Sequence, residues 1–127
     1  MSTQEMYGGL LAAADLSNKQ YHIMRLSAAR TTNQASLATD VAIAGVLQNK
    51  PAANEHAAVA FEGRGKITLG ATTAANDFLT SDSSGRATPV VSGGVNMVVA
   101  RALEAGAATN IVDCVYYKPF PWPGTAI

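Results

Sequence analysis

The sequence predicts a mainly β domain, a small antiparallel β-barrel or sandwich with extended N- and C-terminal arms. Three observations carry this expectation. Apolar residues alternate with polar or small ones in several short runs, the period-two signature of half-buried strands. Turn-forming clusters of Gly, Pro, Asn and Ser separate those runs at intervals of roughly 8–12 residues, the spacing of sandwich and barrel strands. Both ends break the pattern, since residues 1–9 are polar and residues 118–127 hold Pro119, Pro121, Pro123 and the only tryptophan. The expected organisation is an N-terminal arm over 1–9, a β-domain over 10–117, and a Pro/aromatic C-terminal tail over 118–127.

In chain order, MSTQEMYGG has one apolar pair, Met6–Tyr7, before Gly8–Gly9, and fully extended it reaches about 30 Å. YHIMRLSA (21–28) alternates as a strand. VAIAGVLQ (41–48) sets Val41, Ile43 and Leu47 on one face, and Gly45 inside it predicts a bulge or a close backbone approach. NKPAAN (49–54) is a turn, because Pro51 fixes φ and the asparagines tolerate left-handed geometry. HAAVAF (56–61) groups Ala57, Val59 and Phe61, and KITL (66–69) begins a further strand after Gly63 and Gly65. FLTSD (78–82), the turn SSGR and ATPVV (87–91) form a hairpin. VNMVVARAL (95–103) pairs with NIVDCVYY (110–117) across EAGAAT. VVARALEAGAA also fits a helix on propensity; strand is preferred because Val95, Met97, Val99 and Leu103 share a face and Gly106 ends the run. The expected core includes Val41, Ile43, Leu47, Val59, Phe61, Ile67, Leu69, Val99, Leu103, Ile111 and Val115. In KPFPWPGTAI the alternating prolines disfavour a helix or a central strand and favour polyproline-type extension.

Composition narrows function. The 127 residues make one domain, and nine Lys+Arg balance nine Asp+Glu. That gives no basic footprint for nucleic acid or anionic lipid. Hydrophobic residues are 48% of the chain and charged ones 14%, with 24 alanines, a surface suited to close packing against other protein rather than to a solitary monomer. No apolar run approaches the about 20 residues a membrane span requires. The N-terminus lacks the basic and apolar regions of a signal peptide, so a reducing cytosol, or something assembled there, is the expected compartment.

Reactive constellations are sparse. Cys114 is alone in the sequence, which excludes a disulfide framework and a CxxC metal knuckle, and its alternation in IVDCVYY reads as a buried strand cysteine. His22 and His56 sit at predicted strand edges, far apart in sequence. SDSSG, with Asp82, Ser83 and Ser84, is turn chemistry and contains no nucleophile elbow. GRGKIT lacks the spacing of a phosphate loop. Asp15, Asp40, Asp77, Asp82 and Asp113 are scattered and form no carboxylate pair for acid–base work. No metal, nucleotide or other cofactor is expected, and no enzyme activity.

Taken in order, ADLSNKQYHIMRLSA, GVLQNKPAANEHAAVAFEGRGKITLGATTAANDFLTSDSSGRA and ARALEAGAATNIVDCVYY resemble the capsid cement (decoration) proteins of tailed bacteriophages. The likeness spans roughly residues 13 to 117. It departs at Ala75–Asn76–Asp77, where glycine and aspartate are common, at the insert RTTNQASLATD (30–40), and in the longer tail after Tyr117. The resemblance implies a non-enzymatic β-fold virion protein, made in the host cytoplasm, that binds the outer surface of the assembled capsid. It implies a homotrimer at three-fold or quasi-three-fold positions, with the major capsid protein and sister copies as partners and capsid stabilisation against internal DNA pressure as the role. The expected contact residues are Met6 and Tyr7 in one arm and Phe120 and Trp122 in the other. The alternatives are a free-standing β-barrel module recognising a peptide or polysaccharide, and a small enzyme with a site of scattered polar residues.

Overall fold

The computed structural model describes residues 4–7, 9–35, 43–90 and 96–122. It is mainly β, with no helix among the described residues. The strands are β1 (Gln4–Tyr7), β2 (Leu11–Ala12), β3 (Ile23–Ala28), β4 (Thr31–Gln34), β5 (Ile43–Leu47), β6 (Val59–Thr68), β7 (Phe78–Ser81), β8 (Ala87–Pro89), β9 (Asn96–Ala102) and β10 (Ile111–Trp122). They form one sheet in the order β2-β4-β3-β5-β6-β10-β9-β7-β8, with β1 added to β6. Every pairing is antiparallel except β2 with β4. The sheet does not close into a barrel: β8 meets the end of β6 through a single parallel bridge, Leu69 to Ala87.

β6 organises the fold. Ala60 stands opposite both Met6 and Val46, and Gly63 opposite both Gln4 and Tyr116. One edge of β6 therefore carries β1, while the other carries β5 and then β10. The sequence reads two strands, HAAVAF and KITL, where the structure has one of ten residues. Gly63, at φ +110°, carries the chain through a conformation that side-chain-bearing residues rarely adopt.

Gly45 has both properties its position suggested. A Cβ there would lie 2.1 Å from the Ala60 carbonyl oxygen, and the ladder to β3 shifts register beside it. The bulge also resets the alternation. Ile43 and Val46 enter the larger core with Ile23, Ile67, Leu79 and Tyr116, whereas Ala44 and Leu47 enter a smaller core with Leu10, Leu16 and Val59. Ile43 and Leu47 are both buried, but on opposite faces.

In the β9–β10 hairpin the strands are where the sequence puts them; on β9 Val99 is buried as expected, along with Val98 and Ala100 of the other parity, and on β10 the inward face differs. Val112, Cys114 and Tyr116 point inward, while Leu103 and Ile111 are exposed at 40% and 52%. Val115 and Phe61 are half-buried, and Val41 lies outside the described residues. On β10 the charge explains the inversion, since Asp113 shares its parity with Ile111 and Val115; on β9 only the end beyond Val99, at Arg101 and Leu103, turns outward. A strand turns its charged face outward when the other face can be filled.

Tyr116 ties the two long strands together. Its ring lies over Gly65, where a Cβ would stand 2.6 Å from the ring. Its hydroxyl accepts the Lys66 N–H (3.0 Å) and the Gln48 Nε2–H (2.9 Å), and donates to the Lys66 carbonyl. Gly65 leaves the gap and the tyrosine fills it.

The C-terminal residues expected in polyproline-type extension are strand as far as Trp122. Phe120, Pro121 and Trp122 pair with Val98, Met97 and Asn96, after a register shift beyond Tyr116. Proline has no N–H to give, so the ladder's donors on this strand are Phe120 and Trp122, and Pro119 and Pro121 face the other edge. The pairing of β10 with β6 stops at Tyr116. From Tyr117 onward β10 therefore has a neighbour on one side only among the described residues. Residues 123–127 lie outside the description.

Candidate interaction surface

Directly opposed residues of neighbouring strands share a face, and the register builds one row across four strands. Arg64 on β6 faces Val115 on β10, Val115 faces Arg101 on β9, and Arg101 faces Phe78 on β7. Arg64 is exposed and the other three are half-buried, so the row looks outward. The Arg101 guanidinium lies 5.4 Å from the Phe78 ring centroid, within cation–π range. Tyr117 extends the patch, its ring centroid 6.1 Å from Phe78 and 6.1 Å from Phe120, the latter edge to face. The Arg101 Nε is buried and has no acceptor among the described residues.

A parallel row holds Lys66 opposite Asp113, with the ammonium 3.0 Å from the carboxylate. The hydrogen bond and the charge of Asp113 raise the Lys66 pKa. Both side chains are open to water, so the pair adds little stability and chiefly keeps this part of the face polar.

Of the four expected contact residues, Met6 and Phe120 have described side chains. Met6 is 42% exposed on β1, opposite Ala60. Tyr7 stands opposite Val59 and Trp122 opposite Asn96; their side chains lie outside the description. The structure does not gather the four into one site, because β1 and β10 occupy opposite edges of β6. It does gather Phe120 with Phe78, Tyr117 and Arg101, three residues that sequence reasoning passed over. One signal was available: the outward parity of NIVDCVYY that carries Asp113 also carries Tyr117.

The residues weighed for chemistry are engaged in structure. Burial pushes the Cys114 thiol far above its ordinary range, which leaves it protonated and unreactive. Asp82 Oδ1 accepts the N–H groups of Ser84 and Arg86, and its Oδ2 lies 3.3 Å from the Arg86 Nε, an Asx-type arrangement that closes the β7–β8 turn. His22 is half-buried, its Nδ1 3.3 Å from the Gln20 carbonyl oxygen, and burial lowers its pKa. It borders an open recess of about 460 Å³ shared with Gln20, Lys50, Thr68 and Ile111. Tyr21, the residue before His22, holds φ at +66°. His56 is exposed. Among the described residues no three of His, Cys, Asp and Glu converge as metal ligands.

What the fold and surface define is an all-β domain with an aromatic–arginine outer face. No protein-family model and no curated protein matches the chain. Among solved structures it is similar to the N base of the head fiber gp8.5 of bacteriophage phi29, with a TM-score of 0.64, 16% identity, and coverage of 94% of this chain and 97% of that one. At that identity the likeness shows a shared fold.

Proposed function

We propose that this chain is a structural virion protein that binds the outer surface of an assembled phage capsid. It does so as a homotrimer at three-fold or quasi-three-fold positions, and it stabilises the shell against internal DNA pressure. The observation that carries this reading is the correspondence, over 94% of this chain and 97% of the other, with the base of a phage head fiber. The cement-like order of GVLQNKP, the FLTSDSSGRA hairpin and the closing ARALEAGAATNIVDCVYY hairpin supports it. A protein present in many copies on a lattice gains from avidity, so modest individual contacts suffice. The partners are the major capsid protein and sister copies, without nucleic acid, membrane, cofactor or catalysis. Met6 and Tyr7 on β1, and Phe120 and Trp122 at the end of β10, are the proposed contacts with the shell.

Co-sedimentation with expanded shells that lack their cement protein tests the reading. The expected result is saturable binding, in threes, and a higher temperature of shell disruption. Shells that pellet without the protein at micromolar concentration refute it. One observation favours the rival reading of a free-standing binding module: the open recess beside the strained Tyr21. Capsid-independent capture of a defined glycan or peptide, abolished by His22→Ala, is the result that module requires.

A further inference from the structure

We infer that the outward face of β6, β10, β9 and β7 is the surface through which copies of this chain join, with Glu62 of one copy paired to Arg101 of the next. This deepens the reading of a homotrimer and rests on it only for the number of copies.

Two charges on this face lack an ion-pair partner among the described residues. Arg101 is half-buried and packed against Phe78, and among the described residues no carboxylate pairs with it and its buried Nε has no acceptor. A guanidinium withdrawn from water in that way costs free energy unless an acceptor reaches it. Glu62 is the complement. Asp15, Glu55, Asp77, Asp82, Glu104 and Asp113 each accept a hydrogen bond from a neighbour in the chain. Of the carboxylates with described side chains, Glu62 alone makes no such contact, and it is exposed.

Their placement favours a second copy as the occupant. Glu62 lies two residues from Arg64 on β6 and so shares the outward face. Arg101 lies two strands away, with β10 between them. Each copy therefore presents an acceptor on its β6 flank and a donor on its β9–β7 flank. In a cyclic arrangement the β6 flank of one copy meets the β9–β7 flank of the next, and every copy gives one pair and receives one, so the contact closes. Val115 and Tyr117 on β10 lie between the flanks and Phe78 lies on the β9–β7 flank, and together they supply the apolar and aromatic area that carries interface energy, with arginine as the favoured charged member. A net charge of zero leaves no overall repulsion between copies.

The test is the mass of the purified protein in solution by light scattering, without capsids. The expected mass is about three times the 13.1 kDa of one chain. Glu62→Arg, at an exposed position with nothing to lose inside the fold, is expected to raise the dissociation constant on the order of 100-fold with an unchanged circular dichroism spectrum. Arg101→Glu is expected to do the same, and the double exchange Glu62→Arg/Arg101→Glu to restore assembly. Restoration keeps the test decisive even if Arg101→Glu alone lowers stability. A monomeric wild-type protein, or a Glu62→Arg variant that assembles as tightly as wild type, overturns the inference. Capsid binding is read separately, so that reading stands or falls on its own experiment.

Discussion

Replacing Tyr116 by Phe removes one oxygen and leaves the ring in place over Gly65. That oxygen accepts the N–H of Lys66 and the Nε2–H of Gln48 and donates to the Lys66 carbonyl. Three net hydrogen bonds at about 0.5–1.5 kcal/mol each set the scale, and partial rehydration of the Lys66 and Gln48 groups tempers it, for an expected loss of about 2–4 kcal/mol. No cavity forms, so the cost stays below that of a truncation to Ala. Equilibrium urea unfolding reads it as a lower midpoint at unchanged m, and a loss under about 0.5 kcal/mol would refute the account of the hydroxyl as the tie between β6 and β10. A second signature lies at alkaline pH. Burial raises the pKa of Tyr116 well above its ordinary value, while in the unfolded chain a tyrosine ionises near pH 10. The folded state keeps a proton that the unfolded state releases, so this stabilisation is complete below about pH 10 and is lost as pH rises further. The Phe variant lacks that component, and its stability is expected to fall less steeply, by up to about 1.4 kcal/mol per pH unit.

Gly45→Ala is expected to destabilise by about 2–5 kcal/mol, since the φ of +149° and the Ala60 carbonyl oxygen at 2.1 Å leave a side chain no room; thermal unfolding measures it. Leu47→Ala opens the smaller core and is expected to cost about 2–5 kcal/mol. Ile111→Ser, at an exposed position, stays within about 1 kcal/mol, and the ratio of the two reports which face of each strand is inward. His22 has its pKa lowered by burial, so its contribution is present above about pH 6.5 and is lost as pH falls through the folded-state value. His22→Asn is expected to flatten the stability profile between pH 7 and 5, and a profile identical to wild type contradicts the burial of the ring.

Much of the fold is legible in the residues. The β7–β8 and β9–β10 hairpins follow from alternation and turn chemistry, and the Gly45 bulge follows from a glycine inside an apolar run. Register and face resisted wherever both parities were apolar. In NIVDCVYY the choice between Ile111/Val115 and Val112/Cys114/Tyr116 turns on Asp113 alone, whereas VNMVVARAL is buried on both parities from Asn96 to Ala100 and offers alternation nothing to choose. The bulge at Gly45 defeats strict alternation, because a glycine announces that a bulge exists without saying how the faces resume after it. β1 and β4 are short and mostly polar and β2 has only two residues, all three stabilised by the edges they join rather than by pattern, so local sequence carries little trace of them. The candidate surface was half legible: Phe120 was in view, while Phe78, Tyr117 and Arg101 come together only through two strand pairings, β7 with β9 and β9 with β10.

The prolines at 119 and 121 set a direction on the growth of the sheet. An exposed strand recruits another by offering donors and acceptors in alternation, and a fibril repeats that exchange without limit. The free edge of β10 offers carbonyls whose companion N–H groups are missing, so an incoming strand receives half the bonds it would have to make. The stretch Phe120–Trp122 is thus secured to its own sheet through β9 and is of little use as a template for a further strand. Contact between side chains on a face is finite, whereas pairing of backbone at an edge can repeat without limit.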